Sequence, residues 1–418
     1  MKRIMFFFFL MSSTLLCEAT TLRVEVKNPS KMARTSVPVV IDLSSYGLVR
    51  SALVSCNGNV VSQLDDLNQD GTFDELCFLT NLSAKETKVF TVELKESEPE
   101  LEIPNGKVYV EMLLSNKKIK ENNKHDLYIS SLTVDRGVNP YNQLHHHGAA
   151  FENELVGYRI YFDHRQTVDI YGKYHRGLEL RETQFYPDKV QKESGFGDDV
   201  LWVGNTFGLG TLRGYDGGKP TMVNDVVHRT QRILARGPLR TIVEVVDEGW
   251  LPDGGVERIT LTTRYILYAN RRDCQVDVAI LPFGKLSKPD ARQVGYSTGI
   301  INVKNSVELT DHHGLRGCWG TDWPVSEKDS VGHKRETVGL GICLPQQHVI
   351  SEWTTKENYG YEIRIPNSHL QYFITFGSDN EDFGYHSSEA WFDYLRQWKR
   401  EITNPVAIRT TVTNDDGR

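Results

Sequence analysis

The stretch LHHHGAAFENELVGYRIYFDHRQTVDIYGK, Leu144 to Lys173, gathers imidazoles, carboxylates, phenols and cations into one short segment. Read as a hairpin with His164, Arg165 and Gln166 at its turn, side-chain alternation places Tyr158, Ile160, Phe162, Val168 and Ile170 on one face. The other face carries Arg159, Tyr161 and Asp163 on one strand and Asp169, Tyr171 and Lys173 on the next. A three-residue turn sets Tyr161 opposite Asp169 and Arg159 opposite Tyr171. Upstream, extended backbone points His145 and His147 one way and His146 the other. A sheet with one apolar and one solvated face accounts for the alternation alone. Matched Tyr and Asp are unusual on a solvated face, however, and imidazoles beside phenols and cations are what general acid–base chemistry recruits. In that reading His146, His147, Tyr161, Tyr171, Lys173 and Arg159 carry the chemistry, while His145, Asp163 and Asp169 contact a hydroxyl-rich ligand.

Four other groupings compete for attention. The H-x-H pair with Glu152 or Glu154 has the makings of a zinc-type ligand set. GFGDDVLWVGNTFGLGTLRGYDGG, Gly195 to Gly218, fits neither phosphate-loop spacing and reads as a strand pair with tight bends. Its Asp198 and Asp199 reach toward the same cleft, where Asp199 pairs with Glu152, Asp163 or Asp169 if the reaction is hydrolysis by two carboxylates. His312 and His313 lie in a glycine-rich loop with Trp319 and Trp323, either a sugar-stacking rim or loop packing. In DDLNQDGTFDEL, Asp66, Asn68, Asp70 and Asp74 stand at positions one, three, five and nine of a calcium-type loop, with Gly71 at the sharp turn. Cys77 occupies the closing position, so the motif is incomplete; the expectation is structural calcium or a plain Asx-rich turn, with no cofactor needed for the chemistry itself.

Elements able to position these groups are mostly strands. TLRVEVKN, TKVFTVEL, RTIVEVVDEGW, ERITLTTRYILY and CQVDVAIL alternate with period two and are separated by Gly, Asn, Asp and Pro turns. SSEAWFDYLRQWKREI predicts one helix, capped by Ser387 or Ser388, with Trp391, Leu395, Trp398 and Ile402 on one face. The fold class is mainly β: an N-terminal β module over 20–100, then a large antiparallel β-sandwich over 101–418 ending in that helix. The acidic run Lys95 to Gly106 reads as the linker between them.

The 418 residues carry a net charge of -7 without clustered Lys and Arg, which argues against nucleic-acid or anionic-membrane partners. Lys2 and Arg3, the apolar run that follows and Cys17-Glu18-Ala19 read as an export signal over 1–19, cleaved after Ala19. A lipid-modified Cys17 is the rival reading. The run is short for a membrane span, so the expected location is periplasmic or secreted. Cys56, Cys77, Cys274, Cys318 and Cys343 lack metal or framework spacing and read as buried free thiols.

HHHGAAFENELVGYRIYFDHRQTVDIYGK, GDDVLWVGNTFGLGTL, RETVGLGICLP and the closing SSEAWFDYLRQW with NPVAIR resemble the family of exported Bacteroidetes proteins called domain of unknown function 4861. The resemblance covers nearly the whole mature chain. It implies a galactose-mutarotase-like β-supersandwich and a place in polysaccharide utilisation, with some members linked to elimination on uronate oligosaccharides, as in ulvan breakdown. The run YHRGLELRE departs from the pattern, and His175 and Arg176 there suggest a distinct anionic substrate, with Trp323 as a further contact. The leading expectation is therefore a lyase or dehydratase acting on an anionic oligosaccharide. Arg159, Arg176 or Lys173 would neutralise charge, a histidine would act as base, and Tyr161 or Tyr171 as acid. A two-carboxylate glycoside hydrolase, a non-catalytic sugar-binding protein and an isomerase are the alternatives.

Overall fold

The computed structural model describes residues 20–97, 106–121, 124–255, 257–284 and 295–413. The proposed signal over 1–19 and most of the acidic linker lie outside the described residues. Period-two sequences become strands where expected: Thr20–Lys27, Thr87–Lys95, Arg240–Trp250, Ile259–Tyr268 and Asp273–Pro282. Three antiparallel sheets form the larger part of the chain. A nine-stranded sheet runs from Ser131–Asp135 at one edge to Val307–Thr310 at the other. Two five-stranded sheets accompany it. One, the site sheet, orders Asp198–Asp199, Val168–Gly172, Gly157–Tyr161, Gly148–Asn153 and Val108–Glu111. The other contains Arg213–Tyr215, Gly295–Ile301 and Asn358–Ile363. Bridges from Gly208 to Val168 and from Leu209 to Ile300 link the two. Their inner faces share one apolar core with the large sheet, in which Phe151, Tyr158 and Ile160 meet Val243, Tyr265, Ile374 and Phe376.

The N-terminal module has its own core of Leu22, Val24, Val26, Phe78, Phe90 and Val92. A buried polar joint fixes it to the large sheet: the Arg240 guanidinium reaches Asp65 and Glu75, and Gln63 accepts the backbone N–H groups of Leu239 and Arg240. The sequence-based division at residue 101 misses one strand. Ala407–Thr413 returns to pair with Thr20–Lys27, so the last strand belongs to the first module's sheet. Periodicity identifies a strand but not its partner.

The helix spans Ser388–Thr403, with the Ser387 hydroxyl accepting the Ala390 N–H. It buries Trp391, Leu395 and Trp398, as its spacing predicts, and half-buries Ile402. No helix among the described residues is long and apolar enough to cross a membrane. Their five cysteines are all free, and four are buried.

Candidate active site

The site sheet departs from the sequence reading in its burial. Gly148–Asn153, Gly157–Tyr161 and Val168–Gly172 are buried along their whole length, so the polar face is not solvated. Leu180–Thr183 forms a short helix over it, and Phe185 packs on Tyr171 and Ala150 beneath that cover. Polar groups under such cover must be paired.

The hairpin is also longer than a three-residue turn. Arg159 pairs with Asp169 and Gly157 with Tyr171, which corrects the expected register. The extra length comes from the loop itself: Asp163 accepts the Arg165 N–H and grips its guanidinium, and Gln166 adopts φ +47°. Alternation survives the shift, so Arg159, Tyr161 and Asp169 still share a face.

They meet there. The Arg159 guanidinium donates to Asp169, to the Tyr186 hydroxyl at 2.8 Å, to the Tyr161 hydroxyl at 3.3 Å and to Asp199 at 3.4 Å. Tyr161 donates to Asp169 at 2.9 Å. Phe185 lies 4.0 Å from the guanidinium on its ring face. Burial, and then the Asp169 charge, push the Tyr161 phenol well above its ordinary pKa, so it stays a proton donor. Asp199 keeps 22 % of its side-chain surface accessible. Its inner side is nonetheless enclosed, and burial followed by the Asp169 charge raises its carboxyl well above the usual range. Two carboxylates on one guanidinium, one of them pushed up, are an arrangement that can serve acid–base chemistry.

The histidines do not lie on an extended strand. His145–His147 forms a tight turn in which His146 and His147 have φ of +42° and +68°. Left-handed backbone costs a non-glycine residue about 1–2 kcal/mol, a strain that concentrates at functional sites. The turn gives the three rings different partners, although His145 and His146 still meet edge-on at 5.3 Å. His145 stacks on His125 at 4.0 Å. His146 faces the Glu111 carboxyl at 3.1 Å, and Tyr109 donates to the same carboxyl at 2.7 Å. Both groups of the His146–Glu111 pair are fully buried, so charging either is costly. Burial pushes Glu111 up to about 8 and His146 down to about 3, giving a neutral acid beside a neutral imidazole.

His147 stacks on Tyr141 at 3.7 Å and sits edge-on to Tyr161 at 6.1 Å. Its Nδ1 lies 2.9 Å from the Tyr141 carbonyl, which only accepts; Nδ1 therefore carries the proton and Nε2 the lone pair. Burial lowers its pKa to about 4, with Arg159 and Arg165 adding to the effect, so the ring is neutral at ordinary pH.

From residue 26 to residue 408 the sequence matches the family described as Domain of unknown function (DUF4861). The chain belongs to this family. No curated protein matches it. Among solved structures it is similar to a protein in the glycosyl hydrolase family 38 from Enterococcus faecalis, at 11% identity and a TM-score of 0.47, covering 94% of this chain and 47% of that one. An alpha-mannosidase from Enterococcus faecalis V583 is similar at 11% identity and a TM-score of 0.43, over 94% of this chain and 46% of the other. The DUF4861 chain thus spans about half the length of these two.

Several residues that its sequence singles out stand apart from the Arg159 cluster. Lys173 is fully buried and spends its protons on Glu152 at 2.5 Å, on the Asn153 carbonyl at 2.6 Å and on the Gly177 carbonyl. Glu152 in turn accepts the N–H groups of Glu179 and Leu180, so neither residue is free for chemistry or for a metal with the histidines. Tyr171 donates to Glu179 in the same closed network. Glu154 turns to Lys107 and the Asn270 N–H. His175 is an exposed partner of Asp382, and Arg176 lies over Phe383. Asp163 holds Arg165 rather than open solvent. His312 pairs with Glu352, and the His313 carbonyl accepts from Lys399 of the helix, while Trp319 packs against Trp391; this is loop and helix packing.

Gly195 to Gly218 is largely irregular, with only Asp198–Asp199 and Arg213–Tyr215 as strand, which corrects the strand-pair reading. Asp199 does reach the cluster, whereas Asp198 pairs with Lys192. In the calcium-type loop, Asp66, Asp70 and Asp74 accept backbone N–H groups of Asp70, Gly71, Thr72, Leu67 and Asn68, as an Asx-rich turn does. The described residues hold no group of three or more His, Cys, Asp or Glu placed to bind a metal.

Sequence reasoning missed Glu111, Tyr141, Arg165 as more than a turn residue, Tyr186 and Trp202. The Trp323 carbonyl accepts the Trp202 N–H at 3.0 Å, so the tryptophan it picked stands next to the one it passed over.

Proposed function

We propose that the chain is a carbohydrate-active enzyme catalysing β-elimination on a uronic-acid-containing oligosaccharide, outside the cytoplasm. The observation that carries this reading is the pairing of His147 and Tyr161, a neutral imidazole and a protonated phenol 6.1 Å apart, between two guanidiniums. Arg159 and Arg165 lie 5.0 and 4.9 Å from the Tyr161 ring centre.

In this reading the substrate carboxylate lies against the guanidiniums, which take up the charge that builds as the C5 proton leaves. His147 Nε2 takes that proton. The C5–H electron pair becomes the C4–C5 double bond, the C4–O bond breaks, and the departing oxygen receives the Tyr161 proton. A sugar leaving group gives a chain cut; a hydroxyl gives water. Burial is the main cause of the low His147 pKa; an anionic ring offsets the part that Arg159 and Arg165 add, so binding strengthens the base.

Purified protein mixed with ulvan-type and glucuronan-type oligosaccharides should develop the absorbance of the new double bond. A broad uronate panel without that signal removes the elimination reading. The Asp199 carboxyl, raised beside Asp169, favours hydrolysis as the second reading. Its products are saturated sugars with new reducing ends, which the same incubations distinguish.

A further inference from the structure

Among the described residues Trp202 is the only exposed tryptophan, with 52 % of its surface accessible. An indole left in water forfeits a large apolar contribution, so its position calls for a reason. It borders a cavity of about 450 Å³ whose walls include Trp353, Arg165, Lys219 and Asn358. That size is typical of small-molecule sites (roughly 300–1,000 Å³).

Both indoles are seated. A Cβ on Gly360 would lie 2.2 Å from the Trp353 ring, and one on Gly204 would lie 2.9 Å from the Trp202 ring, so glycine is what lets each ring lie flat on backbone. Tyr215 stacks on Trp353 at 6.3 Å with planes 15° apart. The Trp353 Nε1–H is buried without a partner. The loop between them is pinned from inside, where buried Arg213 donates to the Asn205 and Thr206 carbonyls at 2.7 and 2.5 Å. Asn358 accepts the Phe207 N–H. The cavity is therefore built before any ligand arrives.

Arg165 belongs to both places. It lines the cavity, and its guanidinium lies 4.6 and 4.9 Å from the ring centres of Tyr141 and Tyr161. Trp202, also on the cavity wall, follows Asp199 by three residues.

We propose that this cavity is a sugar-stacking subsite, in which Trp202 holds the apolar face of a pyranose ring, against a wall that includes Trp353, and that this ring is joined to the one that reacts beside Tyr161. The Trp202 indole takes the C–H face, and Arg165 spans the linkage between subsite and reacting ring. Its consequence is a preference for longer oligosaccharides. The proposal rests on the reading of the neighbouring cluster as a sugar-processing site, and its test separates the two.

Wild type, Trp202→Ala and Trp202→Phe are titrated calorimetrically with glucuronic acid and glucose and with glucuronan and cello-oligosaccharides of two and four rings, and turnover is followed in parallel. Trp202→Ala should bind the two- and four-ring chains roughly tenfold more weakly (about 1.4 kcal/mol), leave the single sugars unchanged, and be partly rescued by Phe. Equal effects at every length, no effect at any length, or no binding of either sugar series overturns the subsite. Length-dependent binding that needs Trp202 without turnover of any uronate keeps the subsite and discards elimination. Turnover with the same KM in wild type and Trp202→Ala at every length does the reverse.

Discussion

Lys173 and Arg159 are buried cations on the same face of one sheet, yet their surroundings differ in kind. Around Lys173 the accounting closes: the ammonium meets one carboxylate and two carbonyls, and the second Glu152 oxygen is filled by two backbone N–H groups. Around Arg159 it does not close. Two carboxylates and two phenols crowd one guanidinium, its Nε has no partner, and Asp199 keeps contact with solvent. A closed network supplies architecture. An oversupplied one, open at an edge, has groups left for a substrate.

The largest effect expected from this contrast is on turnover. Tyr161→Phe removes the proton donor and should lower kcat by roughly 10²–10⁴-fold, with KM little changed; steady-state kinetics on the double-bond signal checks it. Lys173→Met should act the other way. It leaves Glu152 buried and unpaired and should cost about 3–5 kcal/mol in urea unfolding, while molecules that remain folded keep their kcat. If Lys173→Met silences folded protein, the division between the two cations fails.

The smallest effect concerns pH. Glu111 is raised from 4.5 to about 8, so its proton is held more tightly in the folded state. That contribution to stability is complete below pH 4.5 and is lost as pH rises toward 8. His145, His146 and His147 are lowered from 6.5 to about 3, 3 and 4, and their contribution is lost as pH falls below 6.5. Glu111→Gln cannot titrate there. Thermal unfolding at pH 6.5 and 8 should show wild type losing stability between the two and the variant losing less.

Much of this was legible in the sequence. Period two located the strands, and the helix was readable to its cap because Ser387 and the spacing of Trp391, Leu395 and Trp398 are local signals. Arg159, Tyr161, Asp169 and Asp199 were recognisable as reactive types on one face. What alternation cannot say is whether a face is covered, and that separates Lys173 and Tyr171 from Arg159. The partners of the histidines were hidden for another reason. Glu111 is thirty-five residues from His146 in sequence, and the turn that aims the rings needs backbone that non-glycine residues seldom adopt. Trp202 did leave a signal: an indole beside an acidic pair, with Gly204 close behind.

The pairing of Thr20–Lys27 with Ala407–Thr413 carries a consequence for how the molecule is made. Until residue 407 emerges, the first strand presents a bare row of amides and carbonyls to whatever chain passes by. Some three hundred and eighty residues separate the two strands, so the earlier one waits through the synthesis of the whole large sheet before its edge is sealed. Any factor that escorts the nascent chain has that one edge to shield.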